Sequence, residues 1–294
     1  MGLPSEISRT ARRLACEYQA DAHSLNAERR TPNAERKLQF PDLQGRVVVV
    51  TGAGRPRGIG AAICRAFAEQ RCNIFFTIHT PYDQQTASDE PRATGAQQLA
   101  YELQQRGVLA EFIEADLALP NCAEWILNSA RERLGEPSIL VNNAAYSARD
   151  GFEWLDAPGL DVHYAVNVRG PALLSVEFAR RFSGQSGGRI LFLTSGQDLG
   201  PMPGELAYAA SKGAISAFMR SLAKEVGSKG ITVNAVDPGP TETGWMSRDL
   251  QAYLISQNAI GRLGYPEDAA RVIVFLASAA AEWISGETIH ARGI

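Results

Sequence analysis

From Arg46 onward, short apolar runs rich in β-branched residues alternate with longer segments that repeat apolar positions at helical spacing. The runs predicted to be strands are Val47–Thr51, Ile74–His79, Ala110–Glu114, Ile139–Asn142, Ile190–Thr194, Thr232–Asp237 and Glu287–His290. The segments predicted to be helices are Gly60–Gln70, Ala96–Arg106, Asn121–Leu134, Leu160–Phe182, Ala207–Gly227 and Pro266–Ser278. Repeated β–α units favour a parallel sheet with helices on both faces.

Right-handed connections between such strands make the expected fold a doubly wound, Rossmann-type α/β sheet of about seven strands. We expect a single domain over residues 45–294. Ligands of these sheets bind at the carboxyl ends of the strands, so the residues directly after each strand are the candidates for a site.

Residues 1–44 differ from the rest of the chain, because they are polar, lack β-branched runs and carry arginines interspersed with acids. They contain no apolar segment typical of a secretory signal, and the acids argue against an organelle transit peptide. We expect a mobile or loosely helical extension, or an over-extended start, that catalysis does not need.

Composition and charge exclude several functional classes. The chain has 294 residues, 45% of them hydrophobic, and a formal net charge of -3. Because it shows no long basic stripe, we expect no nucleic-acid partner, and no apolar run is long enough to span a membrane. The four cysteines show neither metal-ligand nor redox spacing, so we expect no metal site and a reduced, cytoplasmic protein.

The stretch TGAGRPRGIG, residues 51–60, lies between the first predicted strand and the first predicted helix. Gly52, Gly58 and Gly60 allow a tight turn and a close approach of the backbone to a pyrophosphate, whose charge the next helix N-terminus favours. The order of strand, turn and helix favours a dinucleotide cradle over a plain tight turn.

The residues after the second strand bear on which dinucleotide binds. NAD-binding folds place an acid there to bond the ribose 2′-hydroxyl, whereas His79 and Thr80 stand here and Asp83 lies further on. A guanidinium forms a bidentate fork with phosphate. We therefore predict NADP(H) as the preferred cofactor, with Arg57 as the main contact of the 2′-phosphate and Arg55 as its helper. Solvated loop arginines, with use of NAD(H), are the alternative.

The stretch YAASK places Tyr208 and Lys212 four residues apart on a predicted helix, so both share a face. A cation within roughly 4–6 Å lowers the pKa of an acid by about 1–3 units. Lys212 is therefore placed to ease proton exchange at Tyr208, although an ordinary helix pair is the alternative. Ser195 ends a strand thirteen positions before the tyrosine, and Asn167 lies on an earlier long helix.

Together these features resemble the short-chain dehydrogenase/reductase family over the chain from residue 46 to the C-terminus. The glycine loop, the NNA segment at 142–144, the PG segment at 238–239 and the tetrad occur in the family's order and spacing; the tetrad is Asn167, Ser195, Tyr208 and Lys212. Within the family the chain is most similar to 3-oxoacyl-(acyl carrier protein) reductases.

The resemblance implies how the catalytic roles are divided. Tyr208 exchanges the proton of the substrate hydroxyl as general acid or base, and Ser195 polarises and positions the carbonyl. Lys212 lowers the pKa of the tyrosine and bonds the nicotinamide ribose, and Asn167 holds a water in the proton relay to the lysine. The cofactor brings the hydride chemistry.

The resemblance also implies cofactor contacts at the ends of the strands. Asp116 resembles the residue that touches adenine, Asn143 and Ala144 pass near the adenosine ribose, and Thr241 lies by the carboxamide. The full expected set is Gly52, Arg55, Arg57, Gly58, Ile59, Gly60, His79, Asp116, Leu117, Asn143, Ala144, Tyr208, Lys212, Pro238 and Thr241. The chain departs from the family in a glycine loop two residues longer than usual and in Ala145, where glycine is usual.

The expected protein is an NADP(H)-dependent oxidoreductase that interconverts a ketone and a secondary alcohol, with a 3-oxoacyl thioester as a candidate substrate. The alternatives are an NAD-dependent alcohol or sugar dehydrogenase and a catalytically silent, cofactor-binding regulatory protein. The intact tetrad argues against the silent protein. An enoyl reductase is discounted, because that relative spaces its tyrosine and lysine more widely and Glu205 stands where its tyrosine would be.

A small carbonyl or alcohol substrate is expected between two loops, Gly196–Leu206 and Thr241–Tyr265. Their apolar residues include Leu199, Met202, Trp245 and Met246. These side chains face the substrate in one interpretation and form core under a lid in the other.

Two kinds of protein partner follow from the resemblance. Acyl carrier protein is a candidate because it is acidic and Arg181 and Lys229 resemble basic positions that would meet it. A homo-oligomer, and specifically a tetramer, is expected because relatives pair the helices Leu160–Phe182 and Ala207–Gly227 across a two-fold axis.

Overall fold

The computed structural model describes residues 39–86 and 95–293. A parallel sheet contains the strands β1 (Val47–Val50), β2 (Asn73–Ile78), β3 (Ala110–Glu114), β4 (Ile139–Asn142), β5 (Gly188–Leu193), β6 (Ile231–Asp237) and β7 (Thr288–His290). The strand order is β3-β2-β1-β4-β5-β6-β7, and all neighbours are parallel. The predicted doubly wound sheet is confirmed, with each predicted strand within two residues of its observed ends.

Helices cover both faces of this sheet. They are α1 (Ile59–Glu69), α2 (Thr80–Thr86), α3 (Gly95–Gln105), α4 (Cys122–Leu134), α5 (Ala157–Tyr164), α6 (Gly170–Arg181), α7 (Leu206–Val226), α8 (Arg248–Gln257) and α9 (Pro266–Ala277). One core layer packs α1, α3 and α9 on the sheet, and the other packs α4, α6 and α7. Val48 and Val50 of β1 enter the first layer and Val49 the second. Because both faces are covered, the carboxyl ends of the strands are where polar residues can meet a ligand.

Two of these helices were not expected from the sequence. Helix α2 spans only seven residues directly after β2, which is too short for a helical period to show. Helix α8 contains no buried residue, so it lacks the apolar stripe by which an amphipathic helix is recognised.

The segment Leu160–Phe182, predicted as one α-helix, is interrupted by a π-helical stretch. The stretch Ala165–Arg169 joins α5 to α6 and contains Asn167. The predicted helix is thus helical from Leu160 to Arg181, and the π-helical stretch within it was not predicted. Single π turns occur frequently at functional sites.

The folded unit begins near Phe40, a few residues before the predicted boundary. A 3-10 turn spans Pro41–Leu43 and buries Leu43 completely. Asp42 Oδ2 accepts a 2.8 Å hydrogen bond from the backbone N–H of Ala279, just after α9. Residues 1–38 lie outside the described residues, so their expected mobility stays a prediction. In the described part of the chain, no helix is long and apolar enough to cross a membrane.

Candidate active site

The end of β5 and the first turns of α7 bring three of the predicted catalytic residues together. Ser195 follows β5 by two residues, and its side chain faces the Tyr208 hydroxyl, whose pKa it lowers through a hydrogen bond. Lys212 lies one turn further along α7, with Nζ 5.5 Å from the centre of the Tyr208 ring. Two hydroxyls and an amine therefore meet at the carboxyl edge of the sheet.

Burial dominates the pKa values at this site. It raises the pKa of Tyr208 above the ordinary value, while the hydrogen bond with Ser195 lowers it. Lys212 is itself buried, which lowers its pKa to about 8, and its Nζ donates a 2.7 Å hydrogen bond to the Leu193 carbonyl. That Lys212 lowers the tyrosine pKa stays a prediction.

The Asn167 side chain forms hydrogen bonds with two other parts of the chain, the loop after β4 and helix α7. Its Oδ1 accepts from the backbone N–H of Tyr146 at 2.7 Å, and its Nδ2 donates to the Tyr146 carbonyl at 2.8 Å and to Ser211 Oγ at 3.0 Å. The amide thus joins the loop after β4 to α7, next to Lys212. The predicted water-holding role does not fall to its amide N–H groups, since both are donated to protein.

Asp150, which the sequence analysis missed, caps the helix that carries the tyrosine. Its carboxylate accepts hydrogen bonds from the backbone N–H groups of Leu206 at 2.6 Å and Ala207 at 2.9 Å. Glu205, the residue at the helix N-cap, makes no capping bond with its own side chain. A carboxylate at a helix N-terminus satisfies unpaired N–H groups and favours the helix dipole.

The glycine loop and the segment after β4 are clasped together. Asn143 Nδ2 donates to the carbonyls of Thr51 and Gly52, at 2.9 and 2.8 Å. A Cβ at Gly52, whose φ is 72°, would lie 2.7 Å from the Cα of Ala144, and one at Gly60 would lie 2.4 Å from the Gly52 carbonyl oxygen. Only glycine fits at these positions, which leaves open backbone in front of the N-terminus of α1 and suits a pyrophosphate.

The lengthened part of the glycine loop packs against two helices, α1 and α3. Arg65 of α1 donates a 2.7 Å hydrogen bond to the Pro56 carbonyl and pairs with Glu102 of α3 at 2.9 Å. At the start of α3, Gly95 packs so closely that a Cβ there would lie 3.0 Å from the Gly54 carbonyl oxygen and 3.3 Å from Pro56. The insertion is thus supported by two helices.

The two arginines of the loop point in different directions. Arg55 lies on the β2 side, where its charge acts on Tyr82 and Asp83 of α2. The Arg57 guanidinium reaches towards the loop after β6, where its Nη2 lies 3.1 Å from the position of a Cβ on Gly244. The expectation that Arg57 is the main contact of a 2′-phosphate receives no support from this placement, because Arg55 is the arginine beside the end of β2.

Carboxylates surround the end of β2 more closely than the sequence suggested. Asp83 Oδ2 lies 2.0 Å from the position of a Cβ on Gly54, so it packs directly on the glycine loop. Glu114 accepts from the backbone N–H and the hydroxyl of Thr80, at 2.7 and 2.6 Å. His79 Nδ1 lies 3.9 Å from Glu114 Oε1 and makes no hydrogen bond within residues 39–86 and 95–293.

The remaining predicted cofactor residues all lie at the carboxyl edge of the sheet. Gly58 and Ile59 follow β1, and Asp116 and Leu117 follow β3. Asn143 and Ala144 follow β4, and Pro238 and Thr241 follow β6. Leu117 is buried, and its carbonyl oxygen packs against Gly170 of α6. The hydroxyl of Thr241 donates to the carbonyls of Pro238 and Gly239, at 3.2 and 3.1 Å.

The chain between Thr241 and Gly264 leaves the sheet edge and returns to it, and we call residues 242–263 the excursion. Its two ends form a bridge, in which the Glu242 N–H donates to the Gly264 carbonyl and the Gly264 N–H to the Pro240 carbonyl, each at 2.9 Å. Within it, Trp245 is 52% exposed and Met246 is buried. Leu199 of the facing loop is 49% exposed, so the apolar side chains divide between surface and core.

Comparisons with known proteins agree with this geometry. A family model described as "Enoyl-(Acyl carrier protein) reductase" matches residues 52–293. A short-chain dehydrogenase from Burkholderia cenocepacia, solved in complex with NADP, superposes with a TM-score of 0.75 at 31% identity and covers 86% of this chain and 98% of its own. The chain belongs to the short-chain dehydrogenase/reductase family.

Curated relatives extend the match. The uncharacterized oxidoreductase YjdA of Bacillus subtilis is 50% identical over 85% of this chain and 96% of its own length. The 3-oxoacyl-[acyl-carrier-protein] reductase FabG of Escherichia coli is 34% identical over 86% of this chain and 98% of its own. The expected short-chain dehydrogenase/reductase enzyme is thereby confirmed, as is its similarity to the 3-oxoacyl reductase group.

Proposed function

We propose that the enzyme uses NADP(H) to interconvert a ketone and a secondary alcohol. The observation that carries the proposal is the Ser195 side chain facing the Tyr208 hydroxyl. Buried Lys212 lies next to them, with Nζ 5.5 Å from the centre of the Tyr208 ring. Two such hydroxyls are able to hold one carbonyl oxygen, and one of them carries the proton that reduction requires.

The residues around the cradle fit a dinucleotide. Gly52 and Gly60 keep the backbone open before α1, and Arg55 supplies positive charge on the side of β2. The Burkholderia relative holds NADP, which supports the same cofactor here. When bound, the cofactor supplies the hydride or accepts it.

The protein's own groups handle the proton. Burial raises the pKa of Tyr208, so the phenol is protonated near neutral pH and ready to donate to a carbonyl oxygen. Ser195 opposes this shift through its hydrogen bond and so favours the phenolate formed by donation. Lys212, with a pKa of about 8, is able to hold or release a proton at the same pH and return the phenolate to its protonated form.

The substrate proposal is a 3-oxoacyl ester or thioester, supported by the similarity to FabG. Carrier-bound substrate receives less support, because Arg181 pairs with Glu177 at 2.7 Å and the Lys229 ammonium donates to the Ala179 carbonyl. Both basic groups are thus engaged within the protein. The family model's description names enoyl reduction. This reaction is disfavoured because the phenol beside Ser195 comes from Tyr208, whereas position 205, where an enoyl reductase would carry its tyrosine, is a glutamate.

The deciding experiment offers the protein the acetoacetyl and crotonyl thioesters of N-acetylcysteamine with NADPH or NADH and follows nicotinamide absorbance. We expect reduction of the acetoacetyl thioester, and a loss of roughly 10²–10⁴-fold in Tyr208→Phe, the usual contribution of a positioned proton donor. Tyr101→Phe is the matched control, since that exposed tyrosine lies on α3. Turnover of the crotonyl thioester alone, or near-normal turnover in Tyr208→Phe, would contradict the proposal.

A further inference from the structure

Gln197 connects the backbone of Ser195 to the helix that carries Tyr208 and Lys212. Its Oε1 accepts a 3.1 Å hydrogen bond from the backbone N–H of Ser195. Its Nε2 donates to Ser216 Oγ at 3.2 Å and to Asp198 Oδ1 at 3.1 Å. The Ser216 hydroxyl in turn donates to the Lys212 carbonyl at 2.9 Å. One side chain therefore joins the loop after β5 to α7.

Gln197 contacts the chain directly after the last backbone hydrogen bond between β5 and β6. Residues up to Leu193 belong to β5, and the Thr194 N–H still donates to the Val236 carbonyl of β6. At Ser195 the backbone donor turns from the neighbouring strand to the Gln197 side chain. Beyond Thr194, the position of the serine thus depends on a side-chain contact.

A second contact runs in parallel on the other side of the serine. Lys212 Nζ donates to the carbonyl of Leu193, two residues before Ser195, and Gln197 holds the chain two residues after it. Ser195 is therefore bracketed by two contacts with α7, at Lys212 and one turn further on at Ser216. Because its backbone N–H is occupied, only its hydroxyl is available to a carbonyl oxygen.

We propose that Gln197 is a positioning residue that sets the Ser195 hydroxyl against Tyr208, through the hydrogen bonds to the Ser195 N–H and to Ser216. The inference rests on the proposed reduction of a carbonyl. A displacement of about 1 Å in a reacting group can cost about 10²-fold in rate. Loss of the link is therefore felt in the chemical step, and the cofactor cradle is unaffected.

Three variants separate the two halves of the link. Gln197→Ala removes both, and we expect kcat for acetoacetyl thioester to fall by about tenfold to a hundredfold, with KM and the Kd of NADPH within about twofold. Gln197→Glu keeps an acceptor for the Ser195 N–H but loses the donor to Ser216 and Asp198 and places a second carboxylate beside Asp198. Ser216→Ala loses only the α7 end, and it is expected to retain more kcat than either Gln197 variant.

Gln104→Ala is the matched control, because Gln104 Nε2 donates a comparable 3.0 Å bond to Ala110 at the other end of the sheet, and its kcat is expected to stay unchanged. The proposal is overturned if Gln197→Ala keeps kcat within twofold of the parent, or if Ser216→Ala loses more kcat than Gln197→Ala. If Gln197→Ala does not fold, the kcat values of Gln197→Glu and Ser216→Ala are compared with those of the parent and of Gln104→Ala. An unchanged kcat in both variants overturns the proposal.

Failure of the proposed function gives a different result, in which the parent itself reduces no carbonyl probe. Crystal structures of the parent and Gln197→Ala then decide the positioning role. A Ser195 hydroxyl displaced from Tyr208 in the variant supports it, and an unmoved Ser195 overturns it.

Discussion

The Lys212 ammonium nitrogen and the Leu193 carbonyl oxygen are joined by a 2.7 Å hydrogen bond inside the protein. Leu193 is the last residue of β5, and Lys212 lies on the second turn of α7. The bond therefore fixes the catalytic helix to the strand that precedes Ser195. It also keeps a titratable amine in a site that is 4% exposed, where burial lowers its pKa to about 8.

This pKa predicts how stability depends on pH. The folded value of about 8 lies below the 10.5 of an unperturbed lysine, so between the two the unfolded chain binds more protons than the folded one. The contribution of Lys212 to the free energy of unfolding therefore rises as pH increases through that window. Urea unfolding at about pH 7.5 and about pH 9.5 is expected to show this rise in the parent and its loss in Lys212→Met.

Lys224→Met serves as the control, because Lys224 is exposed on the same helix. It is expected to keep the parent's pH dependence. Equal pH dependence in the parent and Lys212→Met would show that the buried amine does not titrate in this range.

Asp150→Ala is predicted to lower both stability and turnover. Loss of a helix N-terminal cap costs about 0.5–2 kcal/mol, and the capped N–H groups of Leu206 and Ala207 directly precede Tyr208. Asp156→Ala removes a comparable cap, the 2.8 Å bond to the Gly159 N–H at the start of α5. Thermal melts and kcat are expected to show similar destabilisation in both variants and a loss of turnover in Asp150→Ala alone; equal turnover would limit Asp150 to a structural role.

Cofactor preference is predicted to depend on Arg55 more than on Arg57. A hydrogen bond to a charged group is worth roughly 1.5–3 kcal/mol, so Arg55→Ala should weaken NADPH binding about tenfold to a hundredfold and leave NADH almost unchanged. Arg57→Ala should change both affinities by a similar factor, because its guanidinium faces Gly244. Fluorescence titration of both cofactors checks this. A selective loss of NADPH in Arg57→Ala would restore the assignment expected from the sequence.

A homotetramer is the expected assembly, formed in part by the surface of α5 and α6. Val162, Tyr164 and Leu173 on these helices are each more than 40% exposed, and burial of such side chains across a two-fold axis would stabilise a closed oligomer. Light scattering at micromolar concentration should give four times the chain mass for the parent and a smaller mass for Leu173→Glu. Leu109→Glu, an exposed leucine before β3, should leave the mass unchanged; a monomeric parent would refute the assembly.

The sheet could be predicted from the sequence because its strands are buried on both faces and therefore read as continuous apolar runs. Valines 47 to 50 show this most plainly, since their exposure is 7% or less. The contacts of Asn167 with Tyr146 and Ser211 could not be predicted, because these residues lie 21 and 44 positions away along the chain.

The candidate catalytic residues Ser195, Tyr208 and Lys212 could be predicted because they form a local pattern of fixed spacing. Asp150 and Gln197 were missed because nothing in their surroundings marks them. Asp150 caps a helix that begins 56 residues later, and Gln197 contacts α7 across 19 residues. The packing of Asp83 on Gly54 could not be predicted either, since the short helix α2 that brings it there shows no hydrophobic period.

The bridge between Thr241 and Gly264 holds the two ends of the excursion together, so the segment between them is a closed loop. A loop whose ends already meet changes length at small entropic cost, about 0.6 kcal/mol for each doubling. Helix α8 within it contributes no residue to the core. Asn258, just after this helix, donates a 2.9 Å hydrogen bond from Nδ2 to the Arg292 carbonyl and so belongs to the framework. Exchange of residues 247–257 between relatives should therefore leave the sheet, the tyrosine and the pyrophosphate cradle in place.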